Sequence, residues 1–474
     1  MGINFGTGGW RAIIGDGFTK VNIQLLAKAL CDKMKAEGVA GKGIVIGYDR
    51  RFLAKEAMQW AAMVFAAEGI LTELVNKSAP TPLLMFYVMQ HNLPYGMMVT
   101  ASHNPAVYNG IKIFTAGGRD ADEVQTADIE RFIAAVEPGD VREMEYEAAV
   151  EAGLIKEIYP LNEYIDNIIS AIRMVKIREA NLKVAFDPMY GVSKTSLNTI
   201  LHTARCEVVA IHERHDTLFG GKLPSPSAAT LRSLQNAVID GKCDIGLATD
   251  GDADRIGVID DNGRFLHPND ILVLLYYYLV KYRNMEGAVV RNIATTHQLD
   301  RVAESFGQVC HEVPVGFKHI SAKIAEADAV LGGESSGGLT IRGHIKGKDG
   351  IYAAMLLVEM IAVTGQKISR IYADIEAEYG SIHMEERDYK FTQGKRAEIY
   401  TTLMEKRELP VMTEPVERVS YLDGSKVYFQ NGGWVLARFS GTEPLLRIFC
   451  EMPCAQDAVE VCNLYEGFLD LASS

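Results

Sequence analysis

Tyr95-Gly96-Met97-Met98-Val99-Thr100-Ala101-Ser102-His103-Asn104-Pro105 reads as a short apolar strand that empties into a polar loop. Asn104-Pro105 is a turn signal, and proline disfavours helix in the residue before it. A serine therefore sits at the carboxyl end of a strand, where open α/β sheets hold ligands. Taken alone, the hexapeptide from Thr100 also reads as a plain turn whose serine bonds its own backbone.

The flanks decide the class. Upstream lie a helical pattern through Val21, Leu25, Leu26, Ala29 and Leu30, a strand at Ile44–Ile46, a helix Ala54–Ala67 and a strand Ile70–Val75. Thr81-Pro82 reads as an N-cap with proline at the first helical position. Downstream, Tyr108-Asn109-Gly110-Ile111-Lys112 turns into another strand, which places Lys112 near the serine loop. Alternating strands and helices give a parallel or mixed sheet with helices on both faces. The same grammar repeats twice. Acidic, alanine-rich sequence near Val141–Gly153 sets a first boundary close to 150, and the pattern changes again near Gly380. The fold class is α/β: three consecutive α/β domains with mixed sheets (1–150, 151–259 and 260–376) and a smaller C-terminal α+β domain (377–474), set around a central cleft.

Four further loops have chemistry in them. Gly6-Thr7-Gly8-Gly9-Trp10-Arg11 is a glycine-rich turn ending in arginine, suited to a phosphate but equally readable as a turn. Thr249-Asp250-Gly251-Asp252-Ala253-Asp254-Arg255 sits between two strands. Its three carboxylates converge only in an irregular loop, and hard oxygen donors so clustered suit Mg²⁺ or Ca²⁺. An EF-hand loop is excluded: Arg255 stands where that loop needs glycine, and Asp261 where it needs glutamate. Gly332-Gly333-Glu334-Ser335-Ser336-Gly337-Gly338 offers one acid and two hydroxyls, the equipment for bonding vicinal sugar hydroxyls. Arg438-Phe439-Ser440-Gly441-Thr442-Glu443-Pro444, with Arg447 beyond it, offers hydroxyls, successive N–H groups and guanidinium, which fit a phosphate cradle. Lys318 sits in the glycine bend Val313–His319, and His344, Lys346 and Lys348 add positive charge before Asp349-Gly350.

Composition bounds the rest. The 474 residues are 48% hydrophobic with a formal net charge of -13, which argues against broad affinity for nucleic acid or anionic membrane. The seven cysteines form no CxxC pair and fit no zinc spacing, as for thiols in a reducing compartment. The N-terminal residues lack an apolar signal core, and the apolar run Ile271–Val280 is too short to span a bilayer. The expectation is a cytoplasmic protein, monomer or homodimer, with no nucleic-acid or membrane partner.

Together and in this order, the loops Thr100–Pro105, Asp250–Arg255, Gly333–Gly337 and Arg438–Pro444, supported by Gly6–Arg11, resemble the α-D-phosphohexomutase family over essentially the whole chain. The resemblance implies an intramolecular phosphotransferase acting on hexose phosphates. Ser102 would hold the phosphoryl group, and Asp250, Asp252 and Asp254 would bind Mg²⁺ with the phosphoserine as fourth protein ligand. Glu334 and Ser336 match the sugar-binding loop. Arg438, Ser440, Gly441 and Thr442, with Arg447, match the loop for the non-reacting phosphate. Arg11, His103, Lys112, Arg255 and Lys318 match basic site positions. Lys112, helped by His103, would act as base if neighbouring cations lowered its pKa. A hexose 1,6-bisphosphate would serve as intermediate and activator. Two departures stand out: Gly8 replaces a common serine, and Gly338 stands where many phosphomannomutases and phosphoglucosamine mutases have histidine. The Val315–Lys318 and His344–Gly350 stretches look more like glucose-type mutases, so the expected substrate pair is glucose 1-phosphate and glucose 6-phosphate. The alternatives are a phosphomannomutase, a phosphoglucosamine mutase, a broad-specificity mutase or a hexose-bisphosphate synthase. A non-catalytic sugar-phosphate sensor is the alternative of another class.

Overall fold

Among the described residues the strands form four sheets, whose central strands are apolar and whose faces are covered by helices. The computed structural model describes residues 3–6, 9–440 and 445–471. The chain forms two units, one of residues 1–271 with 336–369 and one of residues 272–335 with 370–474.

The first unit contains two sheets. The first runs in the order Trp10–Ile13, Tyr108–Thr115, Tyr95–Val99, Ile44–Tyr48, Thr72–Val75, Ile155–Ile158, with Arg119–Asp120 paired to the second of these strands. Strand Ile44–Tyr48 is parallel to both its neighbours, whereas Tyr95–Val99 and Tyr108–Thr115 are antiparallel. The alternation of side chains splits the strands between two faces. Ile44, Ile46, Met97, Val99, Ile111 and Ile113 join Ile23, Leu26, Leu30, Ala57, Ala61 and Phe65 of two helices in one core. Helix Thr81–Gln90 packs on the same strands, and a Cβ on Gly96 would come within 2.6 Å of its Val88.

The second sheet runs Phe265–Leu266, Ile256–Ile259, Ile245–Thr249, Lys183–Asp187, Glu207–Ala210. Strands Ile245–Thr249 and Ile256–Ile259 are antiparallel neighbours, so the acidic loop joins them at one end of the sheet. Helix Gly350–Thr364 packs against both strands. Asp349 caps it, accepting from the Ile351 and Tyr352 N–H groups at 2.8 and 3.0 Å, and also accepts from the Tyr164 hydroxyl at 2.7 Å.

The second unit holds the parallel strands Cys310–Val313, Val289–Asn292 and Leu331–Gly333, and the antiparallel sheet His383–Lys390, Leu445–Met452, Trp434–Phe439, Ser425–Phe429, Val416–Ser420. Ile293, Ala294, Tyr428, Trp434, Leu436 and Phe449 form one apolar cluster between them. A buried ionic group lies beside it. Lys426, fully buried, donates to the Ile293 carbonyl at 2.7 Å and to Glu312 at 2.8 Å. Arg291 donates to the same Glu312 oxygen at 2.6 Å, and the Tyr428 hydroxyl bonds the other. Burial, reinforced by Arg291, lowers the Lys426 ammonium to about 7.

Several expectations need correction. Strand Ile155–Ile158 pairs with Thr72–Val75, so the first sheet extends beyond the boundary set near 150. Strand Phe265–Leu266 likewise belongs to the second sheet, past the boundary at 259. Pro80, not Thr81, is the N-cap of its helix.

Candidate active site

Ser102 is held in the left-handed region at φ 50, a strained setting for a residue with a side chain. What holds it there is Arg51. The buried guanidinium donates to the carbonyls of Ser102 at 2.7 Å, Asn104 at 2.6 Å, and Pro105 and Tyr108 at 2.9 Å each. Its cation also lies over the Phe219 ring, 4.9 Å from the centroid. Thr100 accepts from the Ser102 N–H at 2.9 Å and donates to Asp49 at 2.6 Å. The serine is thus presented by a loop whose carbonyls are nearly all spoken for.

Ser102 Oγ donates to Asp250 at 2.9 Å, and His103 Nδ1 lies 3.3 Å from the same oxygen. Asp250, Asp252 and Asp254 are all buried, with carboxylate oxygens within 4.8 Å of one another. Burial, then Asp252 and Asp254, push the Asp250 carboxyl well above its ordinary value. Burial raises the other two as well, but Lys112 outweighs it for Asp252, and Lys112, Lys348 and Arg255 outweigh it for Asp254, so both are lowered. Lys112 Nζ sits 2.7 Å from each of those two carboxylates, and Lys348 Nζ 3.1 Å from Asp254.

The donor set fits a divalent cation. Asp252 Oδ1 and Asp254 Oδ1 are buried and make no hydrogen bond, the state expected of oxygens that serve an ion. Arg11 Nε and Arg255 Nε are also buried without a hydrogen bond, two N–H donors suited to an anion on Ser102. Arg11 also donates to Asn104 Oδ1 at 2.6 Å.

The expected base role of Lys112 rested on cations lowering its pKa. Burial does lower it, but Asp252 and Asp254 overcome that and raise it. That balance is for carboxylates without a cation; Mg²⁺ on Asp252 and Asp254 would offset their charge and act on Lys112 in the direction a base requires. His103 is the opposite case: Arg255, then burial and Arg11, depress it well below its usual range.

Ser336 is exposed, and the loop beyond it pairs with the acidic loop through the bridge between Gly338 and Arg255. A Cβ at Gly338 would lie 2.2 Å from Lys348 Cδ. The missing side chain at 338 and the lysine at 348 are therefore one feature: glycine leaves the space through which Lys348 reaches Asp254.

In the second unit, Glu334 is buried, and Lys318 is the second residue of helix Phe317–Ala327. Arg438 stands opposite Arg447 across two strands. Arg438 Nε bonds Asp423 at 2.9 Å, and Arg447 is engaged by Asp388 at 3.0 Å. The Ser440 N–H bonds the Leu445 carbonyl at 2.9 Å. Gly441 and Thr442 lie outside the described residues.

Sequence reasoning missed Arg51, Asp49 and Thr81. Thr81 Oγ1 donates to Asp252 at 2.7 Å, so its hydroxyl serves the acidic loop instead of a cap. The signal for Arg51 was two successive arginines directly after a buried strand. Arg51→Lys keeps the charge but loses the fork that spans four carbonyls. It should lower kcat about 10²-fold through misplacement of Ser102. Unchanged kcat in steady-state assays would remove the holding role.

Comparison with known proteins agrees along the length of the chain. The description "Phosphoglucomutase/phosphomannomutase, alpha/beta/alpha domain I" matches residues 2–139, domain II residues 162–263, domain III residues 267–379, and the C-terminal domain residues 398–463. A Thermococcus kodakarensis protein named phosphoglucomutase/phosphomannomutase is 28% identical over 98% of both chains. A Methanocella arvoryzae protein named a probable phosphoglucosamine mutase is 31% identical over 94% of this chain and 93% of its own. A Thermus thermophilus crystal structure, provisionally named a phosphomannomutase, superposes with a TM-score of 0.86 at 28% identity, covering 99% of each chain.

Proposed function

The chain belongs to the phosphoglucomutase/phosphomannomutase family, and on that premise we propose that it interconverts glucose 1-phosphate and glucose 6-phosphate through a phosphoserine at Ser102. That it is a phosphohexomutase, an isomerase-type phosphotransferase, follows from the family. The observation that supports the residue assignment best is the 2.9 Å contact of Ser102 Oγ with Asp250 inside a buried trio of acids.

In this reading Asp250, Asp252 and Asp254 hold Mg²⁺, which offsets charge on the transferring phosphoryl group. Arg11 and Arg255 donate to its oxygens. The bond between phosphorus and Ser102 Oγ breaks as a bond forms to the free hydroxyl of the sugar phosphate. The proton of the attacking hydroxyl goes to a base on the far side of phosphorus from Ser102 Oγ, and His103, 3.3 Å from that oxygen, is placed to hydrogen-bond the serine oxygen as it leaves and returns. The bisphosphate so formed returns its other phosphoryl group to Ser102, and hexose 1,6-bisphosphate primes an enzyme that has lost its own. Glu334 and Ser336 bond sugar hydroxyls, Arg438, Ser440, Gly441 and Thr442 bind the phosphate that does not react, and Lys318 adds charge. The reaction belongs in the cytoplasm. Among the described residues no single helix is long and apolar enough to cross a membrane.

The glucose preference rests on the resemblance of the Val315–Lys318 and His344–Gly350 stretches, with Gly338, to glucose-type mutases. A second reading, glucosamine phosphate as substrate, is favoured by the name of the 31% identical relative. Assay of glucose, mannose and glucosamine 1-phosphates with Mg²⁺ and glucose 1,6-bisphosphate separates them. We expect kcat/KM for glucose 1-phosphate to lead by about tenfold, a difference of one hydrogen bond. A lead for glucosamine 1-phosphate establishes the second reading instead. Accumulation of bisphosphate without product would make the protein a synthase.

A further inference from the structure

Asp423 joins two loops that come from different sheets of the second unit. It opens the Asp423-Gly424 turn between strands Val416–Ser420 and Ser425–Phe429. Its Oδ2 accepts from the Val315 backbone N–H at 2.9 Å and from Arg438 Nε at 2.9 Å. Val315 lies in the bend that leads to Lys318, and Arg438 is two residues from Ser440. Gly424, at φ 102, lets the turn fold against the Arg438 strand: a Cβ there would meet the Ala437 carbonyl at 2.6 Å.

The mount beneath the turn is fixed. Three residues on, Lys426 is tied to the Ile293 carbonyl and to Glu312, and the strand that contains it flanks the apolar cluster of Tyr428 and Trp434. Asp423 is therefore attached to a part of the molecule with little freedom to drift.

We propose that Asp423 is a positioning residue for the substrate's non-reacting phosphate. It orients the Arg438 guanidinium and ties it to the loop of Lys318. This rests on the reading of Arg438 given above. A guanidinium anchored at Nε has its plane fixed, which bidentate recognition of a phosphate requires. Because that phosphate is bound alike in ground and transition states, losing the anchor acts on KM and leaves kcat nearly alone.

The test compares the full-length wild type with Asp423→Ala, Asp423→Asn, Arg438→Ala and the Asp423→Ala/Arg438→Ala pair, using glucose 1-phosphate, glucose 1,6-bisphosphate and Mg²⁺. Asp423→Ala should raise KM about tenfold, the weight of one charge-assisted hydrogen bond, with kcat within about threefold. Asp423→Asn keeps an acceptor oxygen without the charge and should fall between. The double variant should be no worse than Arg438→Ala, since one residue acts through the other. An unchanged KM in Asp423→Ala overturns the proposal, as does full multiplication of the two effects. So does a lowered Tm with KM untouched. If Asp423→Ala does not fold, the isosteric Asn variant decides by the same KM criterion. If the wild type turns over no hexose phosphate, the mutase reading fails on its own. Calorimetry with inorganic phosphate then decides Asp423: weaker binding by Asp423→Asn supports the role, and equal binding removes it.

Discussion

Ser102→Ala should abolish hexose-phosphate turnover, with kcat reduced about 10⁴-fold or more, the scale seen when a covalent group carrier is removed. The argument is one of position. Ser102 Oγ is within hydrogen-bond distance of both Asp250 and His103, at the edge of the buried trio of acids. The substitution removes one hydroxyl and leaves the Arg51 bonds to the loop carbonyls in place, because those use backbone oxygens. Folding should therefore be kept, and circular dichroism with a thermal melt checks it. Residual activity close to wild type in a folded variant would move the phosphoryl carrier elsewhere.

Glu312→Gln should give the largest loss of stability, about 3–5 kcal/mol, because it leaves buried charge without its partner. Glu312 Oε2 serves Arg291 at 2.6 Å and Lys426 at 2.8 Å, and Lys426 is fully buried. Arg291 keeps its second partner, Asp300, at 2.7 Å. Lys426 is the vulnerable member of the arrangement: burial already draws its pKa to about 7, and Glu312 opposes that. Adding Lys426→Met to Glu312→Gln should recover part of the loss, since an apolar side chain asks for no counter-charge. The urea midpoint of the transition that exposes Trp434 reads both variants. A Glu312→Gln midpoint equal to wild type would mean that the ionic group does not hold the two sheets together.

Much of the architecture was legible because strand, loop and strand follow one another without a break. The runs Tyr95–Val99 and Ile245–Thr249 are buried throughout, and each ends in polar residues that cannot extend it. Those ends are where Ser102 and the acids stand. Contacts between distant segments were not legible. Arg51 reaches the carbonyl of a residue 51 positions away, and nothing local to Arg50-Arg51 says which arginine turns inward. Thr81 looked like a cap because Thr-Pro begins many helices, yet its hydroxyl is claimed by Asp252, 171 positions on. The charge state of Lys112 likewise depends on two carboxylates that only folding delivers. Gly338 looked like a departure, and its reason became visible only beside Lys348.

The most direct measurement is the intact mass of the purified protein after incubation with glucose 1,6-bisphosphate and Mg²⁺, followed by peptide mapping. The account predicts one added phosphoryl group, located on Ser102, which leaves on addition of excess glucose 6-phosphate and never forms when Mg²⁺ is chelated. Turnover of hexose phosphates with no phosphoryl group ever found on Ser102, or with one found on another residue, would contradict it.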